Sequence, residues 1–175
     1  MDTIKLVLPS MEYAEQIVEF KKEFIAAGSS MDGCSSLRRT DAPQVFVEEC
    51  ERFSSEETVP EGRVPATLFL CVRENDNRLI GMLQVRHRFN EYLEKYSGHI
   101  GYSVRPSERR KGYAKQMLAL ALPFCKDIGI NRVLISCIDG NIASEKTILA
   151  NGGKYESTIY EEGEAIYLKR FWIEL

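Results

Sequence analysis

The chain has 175 residues, 44% of them hydrophobic and 28% charged, and 23 Lys and Arg against 26 Asp and Glu give a net charge of −3. One domain over residues 1–175 is therefore expected, taking ~150 residues per domain, and the apolar content excludes a disordered chain. A basic excess of the kind a phosphate backbone demands is missing, so no nucleic-acid partner is expected.

The longest apolar stretch, Met117 to Phe124, is broken at Pro123 and falls well short of the ~20 residues of a bilayer span. Met1 to Lys5 shows no basic region leading into a long apolar one. The expectation is a cytoplasmic protein with no membrane partner. Cys34, Cys50, Cys71, Cys125 and Cys137 are odd in number and contain no C-x-x-C pair. They read as reduced, buried thiols, with no metal site expected.

In chain order, Ile4–Leu8 reads as a strand ended by Pro9. Tyr13, Ala14, Ile17, Val18, Phe20, Phe24 and Ile25 recur at three- and four-residue steps, which predicts a helix over Met11–Ala27 closed by Gly28. After the Gly/Ser-rich stretch Gly28–Ser36, Asp41 and Pro43 read as the cap and first turn of a second helix to Phe53. Ser54–Pro65 reads as a loop.

The period then changes. Ala66–Arg73 and Arg78–Arg88 form a hairpin across the turn Glu74–Asn77. Phe89–Ser97 connects it to a strand over Gly98–Val104. A helix follows from Tyr113 to Ile128, then a buried strand Arg132–Ile138, a short helix Asn141–Asn151 and a final hairpin, Tyr155–Tyr160 with Ala165–Ile173. This order predicts an α/β (α+β) protein built on one mixed sheet with helices on its faces.

The segment with chemistry in it is Val104-Arg105-Pro106-Ser107-Glu108-Arg109-Arg110-Lys111-Gly112-Tyr113-Ala114, joining a strand to a helix. A helix N-terminus offers unpartnered N–H groups and partial positive charge, which suit a phosphate or diphosphate. Gly112 lets the backbone approach such a ligand, small Ala114 leaves room beside the first turn, and Arg109, Arg110 and Lys111 add cations. The same residues could form a solvated basic turn. The spacing is neither the Walker pattern nor G-x-G-x-x-G.

Arg109-x-x-Gly112-x-Ala114 resembles the [QR]-x-x-G-x-[GA] signature of the GNAT acetyltransferase superfamily, and the element order matches along essentially the whole chain. Asn141-x-x-Ser144 and the helix ending at Asn151-Gly152-Gly153 resemble its second motif, which flanks the pantetheine arm. The resemblance implies a mixed, mostly antiparallel central sheet with helices on both faces and a splayed strand pair, Gly98–Val104 and Arg132–Ile138, that admits coenzyme A. Val104, Arg109, Arg110, Lys111, Gly112, Tyr113, Ala114, Asn141 and Ser144 would then contact the cofactor, acetyl-CoA. The implied reaction is transfer of an acetyl group to a primary amine of a small molecule or peptide, by direct attack in a ternary complex. Homodimers recur in the family, so a homodimer is one expectation for the oligomeric state.

His99-Ile100-Gly101-Tyr102 resembles the E-I-G-Y segment of the branch that acetylates ribosomal-protein N-termini, with His99 at the carboxylate position. His99 is thus a candidate general base, since its ordinary pKa of ~6.5 allows proton transfer near neutrality. The competing reading, a strand histidine satisfied by neighbouring backbone, carries somewhat more weight. A backbone N–H near Ile100–Tyr102 would polarise the thioester carbonyl.

Many members carry a tyrosine acid seven residues after the motif asparagine, whereas position 148 here is Ile148. Tyr102 and Ser144 are the substitutes, and the departure motivates an alternative reading as a non-catalytic acyl-CoA sensor or interaction module. For the acceptor, Glu91, Tyr92 and Tyr96, with Glu94, could hold a cationic amine. Glu48, Glu49, Glu51, Glu56 and Glu57 would extend that acidic field. His87 reads as structural.

Overall fold

The hydrophobic periods place strands and helices along the chain, and the elements follow in the expected order. The protein is described by a computed structural model covering residues 2–175. It contains β1 (Ile4–Val7), α1 (Ala14–Ala26), α2 (Pro43–Phe53), β2 (Ala66–Arg73), β3 (Arg78–Arg86) and β4 (Ile100–Val104). These are followed by α3 (Tyr113–Asp127), β5 (Arg132–Ile138), α4 (Ile142–Leu149), β6 (Lys154–Glu161) and β7 (Ile166–Glu174).

Two local expectations change. Asp41 does not cap α2: the helix starts at Pro43 with Ala42 before it, and the Asp41 carboxylate lies 3.4 Å from Lys21 Nζ instead. The connection after β3 is not irregular throughout, because Leu93–Ser97 forms a wide helical turn. Asn90 Oδ1 opens it by accepting from Leu93 N at 2.9 Å.

The strands pair antiparallel in two groups, β1-β2-β3-β4 and β5-β7-β6. Between β4 and β5, the expected splayed pair, the sheet opens. The two groups meet at a bridge between Gly98 and Ile135, where His99 N donates to Leu134 O at 2.7 Å. Gly98 makes this approach possible: its φ is +72°, and a Cβ there would lie 2.2 Å from the Leu134 carbonyl oxygen. Beyond this hinge point β4 and β5 part.

Two apolar layers hold the opening in place. On one face of the four-stranded group, Phe20, Phe24 and Phe46 of α1 and α2 pack on Leu70 and Met82. On the other, α3 lays Met117, Leu118 and Ala121 against Leu83 and Val85, and also against Val133, Ile135 and Phe171 of the second group. α3 is therefore the apolar clamp across both halves, and it runs through Pro123 without ending. Leu118 is fully buried, so its truncation to Ala would cost about 2–5 kcal/mol. No helix among the described residues is long and apolar enough to cross a membrane.

Candidate active site

β4 ends at Val104, a single helical turn covers Pro106–Glu108, and the chain reaches α3 through Arg109–Gly112. Arg110 (φ 63°) and Gly112 (φ 83°) are left-handed, which turns successive amides toward one side as an anion-binding concavity. Among the described residues the N–H groups from Arg110 to Lys115 have no acceptor; the first amide taken up is that of Gln116, which donates to Gly112 O at 3.4 Å. The helix start thus presents a row of free donors, with the positive end of α3 behind it.

The side chains divide the labour differently from expectation. Arg109 folds back: its Nη2 donates to Ser29 Oγ at 2.7 Å and its Nε to Val104 O at 3.0 Å, with the guanidinium 5.4 Å from the Phe24 ring. Lys111 Nζ lies 2.8 Å from Glu108 Oε2. Both therefore brace the turn, and the Val104 carbonyl expected at the cofactor is already engaged.

The Tyr113 side chain is also withdrawn. Its hydroxyl donates to Asp2 at 2.8 Å and accepts from Arg73 at 3.1 Å, leaving only its amide at the site. Arg110 is exposed and is the one of the three cations whose side chain has no hydrogen bond or ion pair among the described residues. Beneath the turn, buried Glu108 meets Arg73 at 3.2 Å and Arg78 at 3.5 Å. Burial alone would raise its pKa, but the Lys111 hydrogen bond and the three cations outweigh it and hold the carboxyl below its ordinary value.

The gap between β4 and β5 adjoins this turn. Arg86 N donates to His99 O and Arg105 N to Ile80 O, both at 2.8 Å, so the odd-numbered residues of β4 bond to β3. Antiparallel alternation then aims the N–H and C=O of Ile100 and Tyr102 away from β3, into the gap.

Across the gap the Tyr102 hydroxyl lies 2.8 Å from Ser144 Oγ on α4. Burial is the main influence pushing the Tyr102 pKa up to about 12, so the hydroxyl keeps its proton. Asn141 Oδ1 accepts from Ser144 N at 3.1 Å and caps α4, so its carbonyl serves the helix while its amide nitrogen remains available. Ile148 is fully buried and is core rather than site.

His99 departs from its candidate role as base. Its ring is buried, Nδ1 accepts from Leu134 N at 2.9 Å, and Phe89 stacks at 4.0 Å between ring centroids. With the Nδ1 lone pair used, Nε2 carries the hydrogen, and no free lone pair is left to take a proton. Burial, and then the charge of Arg86, lower its pKa to about 4. His99 joins the two sheets at their hinge. His87 likewise is structural, with Nε2 2.8 Å from Thr67 Oγ1.

The opposite face of β4 carries features the sequence did not single out. The Gly28–Ser36 stretch lies across it: a Cβ on Gly33 (φ +71°) would sit 2.0 Å from Gly101 O and 2.5 Å from Tyr102 N. Ser103 Oγ donates to Asp32 O at 2.6 Å. Beside this loop, Arg86 Nη1 donates to Gly98 O at 3.1 Å.

Of the expected acceptor residues, Tyr92 and Tyr96 stand together with ring centroids 5.2 Å apart. Burial, then Glu161 and Glu164, push the Tyr92 pKa up, which places the β6–β7 turn alongside. The Tyr96 ring is already covered by Lys95 Nζ at 4.8 Å, so that cation–π face is taken. Glu91 is exposed on the same segment. Of the wider acidic set, Glu49 accepts from Ser36 Oγ and Glu56 is paired with Arg88 at 2.6 Å, while Glu48, Glu51 and Glu57 are exposed.

All five cysteines are buried and unpaired. Burial pushes Cys34, Cys50 and Cys71 up to about 12 and Cys125 and Cys137 up to about 11, so none is a ready thiolate nucleophile.

A comparison with protein families matches residues 33–150 to the acetyltransferase (GNAT) family. The chain belongs to the acetyltransferase (GNAT) family. It is accordingly an acetyltransferase whose acyl donor is acetyl-CoA, and the residues present fit that donor: free amides at a left-handed turn for a diphosphate, and an open strand edge leading away from it.

A search of curated proteins by sequence finds no match. Solved structures share the GNAT fold at low identity. One is the Microcin C7 self-immunity acetyltransferase MccE in complex with acetyl-CoA and AMP, at TM-score 0.72 and 19% identity over 100% of this chain and 94% of that one. Another is RimL, the ribosomal L7/L12 alpha-N-protein acetyltransferase in complex with coenzyme A, at TM-score 0.70 and 17% identity over 99% and 94%. A GNAT acetyltransferase from Bacillus anthracis matches at TM-score 0.62 and 17% identity over 99% and 96%.

Proposed function

We propose that the protein is a single GNAT domain that transfers the acetyl group to a primary amine by direct attack, with both substrates bound on opposite sides of β4. The observation that carries this reading is the row of unpartnered amides from Arg110 to Lys115 leading into the open β4–β5 gap. Acetyl-CoA supplies the activated acyl thioester.

The turn at Arg110–Ala114 holds the diphosphate through main-chain amides, with Arg110 as the side-chain cation. The Tyr102 amide, facing the gap, donates to the thioester oxygen as negative charge builds there. Tyr102 Oη holds a proton beside Ser144 Oγ and serves as the acid for the departing thiolate, in place of the tyrosine that Ile148 replaces. Since His99 has no free lone pair, the amine is bound in its neutral form and catalysis rests on positioning; the proton the nitrogen loses on becoming an amide passes to solvent, from which Tyr102 is reprotonated. Tyr92 and Glu91 line the acceptor entrance.

The likeness of His99–Tyr102 to the ribosomal-protein branch, and the shared fold with RimL, support a peptide N-terminus as one acceptor class beside small amines. The sensor reading loses its ground once Tyr102 and Ser144 supply a proton. Isothermal titration with acetyl-CoA, followed by thiol release across an amine panel, tests the proposal. Micromolar binding with turnover supports it, and no binding at millimolar acetyl-CoA removes it.

A further inference from the structure

Among the described residues, the arginines that are not exposed are, with one exception, matched by carboxylates: Arg73, Arg78, Arg105 and Arg170. Arg73, Arg78 and Arg105 lie 3.2, 3.5 and 3.3 Å from Glu108, Glu108 and Glu23 respectively. Arg86 is the exception. It lies at the end of β3, partly buried, and of its five N–H donors only one on Nη1 has a partner in the protein, the Gly98 carbonyl at 3.1 Å. No carboxylate of the described residues comes within ion-pair distance. Asp32 is within Coulombic range, but its Oδ2 already accepts from Ser30 Oγ at 2.8 Å.

The position is as telling as the missing partner. Arg86 Nη2 is 3.6 Å from where a Gly101 Cβ would be. It is therefore in contact with the acceptor-side face of β4, one residue from the Tyr102 amide. With no side chain at Gly101 or Gly33, the Gly33 backbone packs directly on β4, and the Arg86 guanidinium lies at the edge of that contact, with Asp32 and Tyr92 within Coulombic range. The unpartnered nitrogens of Arg86 are not among the buried, unsatisfied atoms of the described residues, so an incoming anion can reach them, and the flat guanidinium fork matches a carboxylate through two parallel hydrogen bonds.

We propose that Arg86 is the acceptor-recognition residue and that the amine this enzyme acetylates carries a carboxylate close to its reacting nitrogen. This deepens the reading above, since it takes the β4 edge as the place of transfer. The carboxylate has two sources that share this chemistry: a free amino acid, or an acidic side chain next to a peptide N-terminus.

The test measures kcat/KM with acetyl-CoA for matched pairs. Free α-amino acids are set against the corresponding decarboxylated amines, and short peptides with Asp at the second position against the same peptides with Asn. The pair that shows the preference identifies the source. The carboxylate-bearing member of at least one pair type is expected to be used about tenfold or more better, the range of a hydrogen bond to a charged group.

Arg86→Gln is expected to collapse that ratio, mainly through KM for the carboxylated member, with Arg86→Lys between the two. Titration of each variant with acetyl-CoA reports that the fold is kept. Equal use of both members of every pair, a ratio unmoved by Arg86→Gln, or no turnover of any member while acetyl-CoA binds overturns the proposal alone. Failure of the wild-type protein to bind acetyl-CoA overturns the transfer site itself, and Arg86's role with it.

Discussion

The Tyr102 hydroxyl on β4 and the Ser144 hydroxyl on α4 lie 2.8 Å apart, spanning the gap where the two halves of the sheet separate. That pair places a protonated phenol at the open edge of β4, on the opposite face from Arg86 and the Gly33 loop. A single strand thus divides the proposed site, with the proposed proton donor on one side and the proposed acceptor-recognition residue on the other.

Tyr102→Phe is expected to lower kcat by about 10²-fold or more, within the usual range for loss of a general acid, with little change in the acetyl-CoA dissociation constant. Because the acting form is protonated and its pKa is pushed up to about 12, the wild-type rate should show no loss of this acid between pH 7 and 10. Stopped-flow acyl transfer across that range checks both statements. A falling limb near pH 8 that disappears in another variant would assign the acid elsewhere.

His99→Gln separates the two roles once open for this residue. A lost base would remove the acidic limb of the pH–rate profile; a lost structural link leaves the profile's shape intact and lowers stability. The second outcome is expected. The folded-state pKa is lowered to about 4, so between pH 6.5 and 4 the unfolded chain binds the additional proton. The His99 contribution is therefore complete above the unfolded pKa and is lost as pH falls through that window. Urea unfolding at pH 7.5 and pH 5 should show a difference of ~2 kcal/mol from this group, absent from the glutamine variant.

Gly33→Ala puts a methyl group where Gly101 O would lie 2.0 Å away, at a backbone φ of +71°. Neither strain has a soft escape, because the obstacle is main chain. The loop must lift from β4 and break the Ser103–Asp32 hydrogen bond. We expect acceptor KM to rise severalfold or more while the acetyl-CoA dissociation constant holds. Gly28→Ala is the comparison: its Cβ meets nothing within 4 Å at a similar positive φ, so it carries backbone strain without the collision.

The diphosphate cradle predicts an order of effects on acetyl-CoA binding by titration calorimetry. Gly112→Val, at φ 83°, distorts the amides themselves and should weaken binding about 10²-fold. Arg110→Ala, removing one exposed cation, should cost about tenfold at low salt and less at high salt. Arg109→Ala acts indirectly by loosening the turn from Ser29 and Val104, so it should lower thermal stability together with affinity. If Arg110→Ala and Arg109→Ala prove indistinguishable in melting temperature, that division of roles is wrong.

The order of strands and helices was legible in the residues, because hydrophobic period and turn chemistry are local properties. Gly28 closing α1, the Glu74–Asn77 turn and the Arg109–Ala114 strand-to-helix junction all stand where the sequence put them. The junction's signature also marked the family. What tertiary structure alone decided is which side chains remain free for a ligand.

Arg109, Lys111 and Tyr113 read as cofactor contacts, yet they are taken by Ser29, Glu108 and Asp2, partners up to 111 residues away in the chain. His99 read as either a base or a structural histidine until folding committed its Nδ1 lone pair to Leu134 N. Arg86, unremarkable as one of many basic residues, matters because folding left it without a carboxylate. Local pattern sets backbone conformation, whereas the availability of a polar group depends on which distant partners the fold brings to it.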